Sequence, residues 1–183
     1  KERLFELGEI FRQRDIRIRL AVPNGLRGDM LPTEVIDALV DMGLYHGFVP
    51  LESGSPRIQR LIRKHLDIPR FLAACRELSR RRVYIHSSCM MGFPTETEAE
   101  LQETIDVACA AHTHTTSFFR VIPFPGTPLF RSVQQKDPKK LAGLALDNAT
   151  YNTASVNLTD LPDAVLAAYQ RKAVRRFALN VRR

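Results

Sequence analysis

Apolar runs and amphipathic stretches alternate along the chain, divided by polar turns that carry Gly and Pro. The first apolar run covers residues 16–22 and ends in Pro23-Asn24-Gly25-Leu26-Arg27. Val35, Ile36, Leu39 and Val40 then recur at helical spacing, which predicts a helix over 33–42 with Thr33 as its N-cap and Gly43 as its stop. A second run, 45–51, ends in Glu52-Ser53-Gly54-Ser55-Pro56, and two helical stretches follow at about 57–65 and 69–82. The third run, 83–91, ends in Gly92-Phe93-Pro94-Thr95; Thr97 and Glu100 behind it have the spacing of a capping box and predict a helix to about residue 111. The fourth run, 116–122, ends in Pro123-Phe124-Pro125-Gly126. Past Pro128 the period weakens into a predicted loop with short helical pieces, and a last amphipathic helix is predicted over 161–180.

Strands alternating with helices predict a parallel sheet with right-handed crossovers. The strand-end landmarks Asn24, Glu52, Gly92 and Pro123 stand 28, 40 and 31 residues apart, one strand–helix unit each. Four such units are too few to close an eight-stranded barrel. The expected fold is therefore α/β, a partial TIM-type (β/α) barrel of about four parallel strands with outer helices. Three parts are expected: barrel over 1–135, loop over 136–160, and a C-terminal helix over 161–183. The chain opens on Lys and at once on a helical pattern, Leu4, Phe5, Ile10 and Phe11, which reads as a fragment whose earlier barrel half precedes it.

Composition changes this picture little. At 183 residues, with 44% hydrophobic and 26% charged, the chain matches an ordinary globular domain able to bury a core. No apolar run approaches the ~20 residues of a membrane span. A net charge of +7 would suit an anionic partner, although the basic residues are spread over helix faces apart from Arg80-Arg81-Arg82 and the last helix. Cys75, Cys89 and Cys109 are separated by 13 and 19 residues, with no C-x-x-C pair, so they read as core thiols of a protein in the reducing cytoplasm. Met90, Met91 and one ring of Phe118-Phe119 read as core, and His112 and His114 as a surface turn rather than a metal pair.

The unusual residues all fall at the C-terminal ends of the strands, the edge where parallel sheets bind ligands. Gly54, Gly92 and Gly126 would let backbone approach a flat or phosphate-like ligand there. Each signal alone is weak, since a glutamate ending a strand serves equally well as a helix cap.

Taken together, "ESGSPRIQRLIRK", "MMGFPTETEAEL" with "TIDVA", "VIPFPGTPLF" and the earlier "NGLRGDML" resemble the later half of a radical S-adenosylmethionine enzyme core. The branch often joined to a cobalamin-binding domain, with magnesium-protoporphyrin ester cyclase-like proteins, is the most similar, and tRNA methylthiotransferases share the motifs. The resemblance implies a partial barrel in which a four-iron four-sulfur cluster binds and reduces S-adenosylmethionine to a 5′-deoxyadenosyl radical, which takes hydrogen from a small-molecule substrate. It implies that Glu52 and Ser53 face the ribose and methionine parts of the cofactor. Gly92, Phe93 and Pro94 would lie beside the adenine, with Val121 and Ile122 along its edge, and Asn24 and Arg27 near its carboxylate. The C-x3-C-x2-C cluster loop of the family has no counterpart in this chain, so no cysteine here is assigned to the cluster and the chain alone is expected to be inactive. Two other readings stay open: a basic RNA-binding module, and a barrel fragment that holds a phosphate ester.

Overall fold

A computed structural model of the chain describes residues 1–142, 144 and 156–180. Four strands, β1 (Leu20–Val22), β2 (Leu44–Phe48), β3 (Tyr84–Met91) and β4 (Thr115–Arg120), form one sheet in sequence order with every neighbouring pair parallel. The helices are α1 (Glu2–Gln13), α2 (Thr33–Asp41), α3 (Pro56–Leu61), α4 (Ile68–Arg80), α5 (Glu98–Ala110), α6 (Pro128–Lys136) and α7 (Asp163–Ala178). The partial α/β barrel expected from the sequence is the fold observed.

Local chemistry explains most boundaries. Ser55 caps α3 and Pro56 occupies its first turn, where a missing N–H costs nothing. Asp67 caps α4 by accepting from the Arg70 N–H at 3.0 Å. Thr97 and Glu100 form the reciprocal capping box that opens α5. Thr127 and Pro128 do for α6 what Ser55 and Pro56 do for α3, so a full helix stands at 128–136 where the weak period promised a loop with short helical pieces. Thr33 is not a cap: extended Pro32 precedes α2 and no side chain caps it.

The first strand is shorter than its apolar run. β2 begins at Leu44, opposite Leu20, so residues 16–19 have no ladder to join and Ile16 and Ile18 stay exposed. The core lies on one face of the sheet. Ile85, Cys89, Met91 and Phe118 point into it, together with Ile36 and Leu39 of α2, Phe71, Cys75 and Leu78 of α4, Leu101 and Ile105 of α5, and Leu166 and Phe177 of α7. The opposite face presents His46, Phe48, Tyr84 and His86 in register, with ring pairs at 5.5 and 5.4 Å. A second cluster, Ile58, Phe93, Val121, Val133 and Leu158, packs beside the strand ends.

Candidate functional site

The C-terminal strand edge is built outward from β3. Past Phe48 the chain keeps its pairing, with the Val49 N–H on His86 O at 2.8 Å and the Leu51 N–H on Ser88 O at 3.1 Å. Glu52 then turns with φ +66, its N–H on Ser88 O at 3.1 Å and its carbonyl accepting from the Met90 N–H at 2.7 Å. A non-glycine residue held in the left-handed region costs on the order of 1–3 kcal/mol, a strain that clusters at ligand sites. The carboxylate of Glu52 is mostly shielded and ion-pairs with Lys64 Nζ at 3.1 Å.

Behind it the turn is locked. Gln59, fully buried on α3, donates to Leu51 O at 2.7 Å and Ser53 O at 2.6 Å. Ser53 is buried, with its hydroxyl 3.2 Å from Thr104 Oγ1 and accepting from the Ser55 N–H at 3.1 Å. Gly54 owes its identity to α5: a Cβ there would stand 2.5 Å from Glu103 O, so helix packing rather than ligand approach excludes a side chain.

The next turn follows Met91. Gly92 takes φ +97, and its N–H and that of Phe93 both donate to Glu96 Oε2, at 2.6 and 3.0 Å. Glu96 is buried, its Oε1 has no hydrogen-bond partner among the described residues, and desolvation pushes its carboxyl up to about 7 against the pull of the two N–H groups. The Phe93 ring packs in the second cluster, so what this residue presents at the edge is backbone. Pro94 is half-buried beside it. Val121 continues the edge, its N–H on Met91 O at 3.0 Å, and Ile122 is half-buried.

Glu52, Gly92, Pro94, Val121 and Ile122 thus come together on adjoining strand ends. Ser53 and the Phe93 ring face inward. Asn24 lies exposed in the turn after β1, a turn pinned by the Leu26 N–H on Phe48 O at 2.7 Å. Arg27 is a tether: it pairs with Asp29 at 2.8 Å and donates to the carbonyls of Lys64 and His65 at 2.9 and 3.2 Å. Hydrogen bonding to Asp29 raises its pKa.

Four residues that sequence reasoning did not single out for the site hold it together. Lys64 supplies the positive partner of Glu52. Glu96 holds the Gly92 turn. Glu100 and Arg57 join the two turns, with Arg57 Nε and Nη2 donating to the Glu100 carboxylate at 2.7 and 2.6 Å. Of these only Glu100 carried a signal, the capping-box spacing, and it pointed to a local role. A carboxylate and an ammonium group side by side, flanked by backbone polar groups, complement a ligand that carries hydroxyls and a zwitterionic amino acid.

The same residues do not fit an iron–sulfur cluster. Among the described residues no group of three His, Cys, Asp or Glu side chains could hold a metal ion. Cys75 and Cys89 are buried in the core, and burial raises both thiols, Cys75 to about 12, away from the thiolate a metal needs.

Comparison with known proteins adds independent findings. The profile of the Radical SAM superfamily matches residues 2–108. A tRNA-2-methylthio-N(6)-dimethylallyladenosine synthase of Corynebacterium efficiens is 30% identical over 129 residues, 68% of this chain and 24% of that protein. The cytidylyl-2-hydroxyethylphosphonate methyltransferase of Streptomyces wedmorensis is 26% identical over 166 residues, 85% of this chain and 30% of that protein. Among solved structures, the radical S-adenosylmethionine methyltransferase TsrM from Kitasatospora setae, with cobalamin and [4Fe-4S] cluster bound, superposes with a TM-score of 0.64 at 17% identity, over 95% of this chain and 34% of that one. The chain thus spans roughly a quarter to a third of the length of these proteins.

Proposed function

The chain belongs to the radical S-adenosylmethionine superfamily, and on that premise we propose that its strand edge holds S-adenosylmethionine within a radical enzyme longer than these 183 residues. The observation that carries the proposal is Glu52, strained at φ +66, pinned to β3 on both sides and charge-paired with Lys64 beside the Gly92 turn. Glu52 takes ribose hydroxyls or the cofactor ammonium, and Lys64 swings to the cofactor carboxylate. The backbone of Gly92–Pro94 and of Val121–Ile122 lies along the adenine. Asn24 closes the carboxylate end, while Ser53 and Arg27 act by holding the turns that carry Glu52 and Lys64. S-adenosylmethionine bound there would supply, on one-electron reductive cleavage that also releases methionine, a 5′-deoxyadenosyl radical for taking a hydrogen atom from a small-molecule substrate. The four-iron four-sulfur cluster used by the superfamily has no ligand set among the described residues.

Calorimetric titration of S-adenosylmethionine into the full-length protein, purified without oxygen, tests the site. Glu52→Gln and Lys64→Gln are each expected to weaken binding about tenfold, about 1.4 kcal/mol; unchanged affinity in both removes the assignment. Cobalamin belongs to the same proposal, and metal analysis of that preparation for cobalt beside iron tests it. We place the protein in the cytoplasm, which suits three cysteines that form no disulfide. Among the described residues no helix is long and apolar enough to cross a membrane.

A nucleic-acid substrate is a second reading, favoured by one feature. A groove of about 1420 Å³ across α5 is lined by Arg76, Arg171, Lys172, Arg175 and Arg176 against a single acid, Asp106. RNA binding that weakens steeply with salt supports this reading, and no retention at low salt removes it.

A further inference from the structure

The turn that carries Glu52 and the turn that carries Gly92 are joined by one buried carboxylate. Glu100, 8% exposed, accepts from Ser55 Oγ at 3.0 Å on the side of the first turn. On the side of the second it accepts from the Thr97 N–H at 3.0 Å and Thr97 Oγ1 at 2.9 Å. Arg57 completes the link. Its guanidinium grips both oxygens of Glu100 and also donates to Thr95 O at 2.8 Å and Thr95 Oγ1 at 3.1 Å. Thr95 is a β-branched residue at φ +64, a conformation that persists only where its surroundings impose it.

We propose that Arg57 and Glu100 are positioning residues, an ion-pair clasp that sets the distance and angle between the ribose-facing and adenine-facing turns of the cofactor site. The proposal rests on the cofactor reading given above. Ser55 stands three residues after Glu52, and Thr95 three after Gly92, so each end of the clasp lies one short turn from a position that meets the ligand. A second link, Thr104 Oγ1 with Ser53 Oγ at 3.2 Å and the Gly54 N–H at 2.9 Å, ties the first turn to α5 deeper in. Two separated links fix an orientation where one would leave a pivot. Arginine suits the outer link because its planar fork meets both carboxylate oxygens and still reaches the Thr95 carbonyl, which lysine cannot do. Because the ligand must bridge both turns, their mutual placement enters its affinity, and a displacement of about 1 Å is enough to matter.

The test is S-adenosylmethionine titration by calorimetry on the full-length protein, purified without oxygen, in parallel with thermal unfolding. Arg57→Gln and Glu100→Gln are each expected to weaken S-adenosylmethionine about tenfold. The double variant should lose no more than either single, since the pair acts as one unit. Arg57→Lys keeps the charge without the fork and is expected to lose most of the affinity as well. The Arg57 side chain is 45% exposed, and the thermal unfolding run in parallel reports whether each variant is folded. Arg81→Gln serves as control: it breaks a comparable network with Asp37 and Glu77 away from the strand edge, and should lower the unfolding temperature while leaving affinity intact. Affinities of the clasp variants within twofold of wild type overturn the proposal. So does an equal loss in Arg81→Gln, which would make the effect one of general stability. A wild-type protein that binds no S-adenosylmethionine overturns the cofactor reading itself, and the clasp with it.

Discussion

Two carboxylates four residues apart at the first turn of α5, Glu96 and Glu100, answer pH in opposite directions. Glu96 is raised to about 7 by burial, so between its ordinary range and pH 7 the folded chain holds a proton that the unfolded chain has released. Stability therefore falls as pH rises through that window, by roughly 3 kcal/mol at the bound set by 1.36 kcal/mol per pKa unit. Glu96→Gln keeps an acceptor for Gly92 and Phe93 while removing the charge. It is expected to raise the unfolding temperature at pH 8 and leave it unchanged at pH 5; an equal shift at both would show that Glu96 is not protonated in the fold. Glu100 is held down to about 2, first by Arg57 and then by Thr97 and Ser55. Its contribution is present above the ordinary carboxylate range and is lost as pH falls toward 2. The strain at Glu52 yields a third expectation. Glu52→Gly relieves φ +66, so thermal stability should not fall although S-adenosylmethionine binding does. A clear loss of stability would mean that the Lys64 ion pair outweighs the strain.

At the scale of elements, packing between α5 and the Glu52 turn leaves no room for a side chain at Gly54. Gly54→Ala places a methyl 2.5 Å from Glu103 O and 2.7 Å from Thr104 Cα, both backbone, so α5 or the turn has to move. A loss of about 1–3 kcal/mol is expected by denaturant unfolding. The elements themselves were largely legible. Four apolar runs and the Thr97–Glu100 capping box locate β1–β4 and α5 to within a few residues, because period and capping are local physics. The misses are equally local in cause. Residues 16–19 have strand composition and no partner strand. The 128–136 segment has a weak period, yet Thr127 and Pro128 start a helix whose Val133 packs against Phe93 and Val121. The expected loop over 136–160 falls partly outside the described residues; within them Pro138–Leu141 makes a single 3₁₀ turn.

At the scale of the molecule, α7 closes the sheet on the side of β4. Phe177 meets Phe118 edge-on at 6.2 Å, and Leu166 and Ala173 are fully buried. Phe177→Ala is expected to cost about 3–5 kcal/mol, read as a shift of the denaturant midpoint. A shift below 1 kcal/mol would mean that α7 is a loosely held appendage. The sequence carries this helix as an amphipathic stripe, but the strand it covers is settled by contacts fifty and more residues away, such as Gln170 Nε2 on Phe118 O at 3.0 Å.

The fold class and the alternation of four parallel strands with helices follow from the sequence alone, because hydrophobic period, turn residues and parallel-strand rules act over short stretches. The motif at 52–55 could also be read there as polar and unusual. What tertiary structure decides is what each of its groups does. Ser53 and Gly54 turn toward Thr104 and Glu103, Arg27 toward the backbone after α3, Lys64 toward Glu52, and Arg57 with Glu100 across two turns. Those pairings span 12 to 51 residues. Local preference cannot encode them, since a charge or hydroxyl finds its partner only after the core has brought the strand ends together.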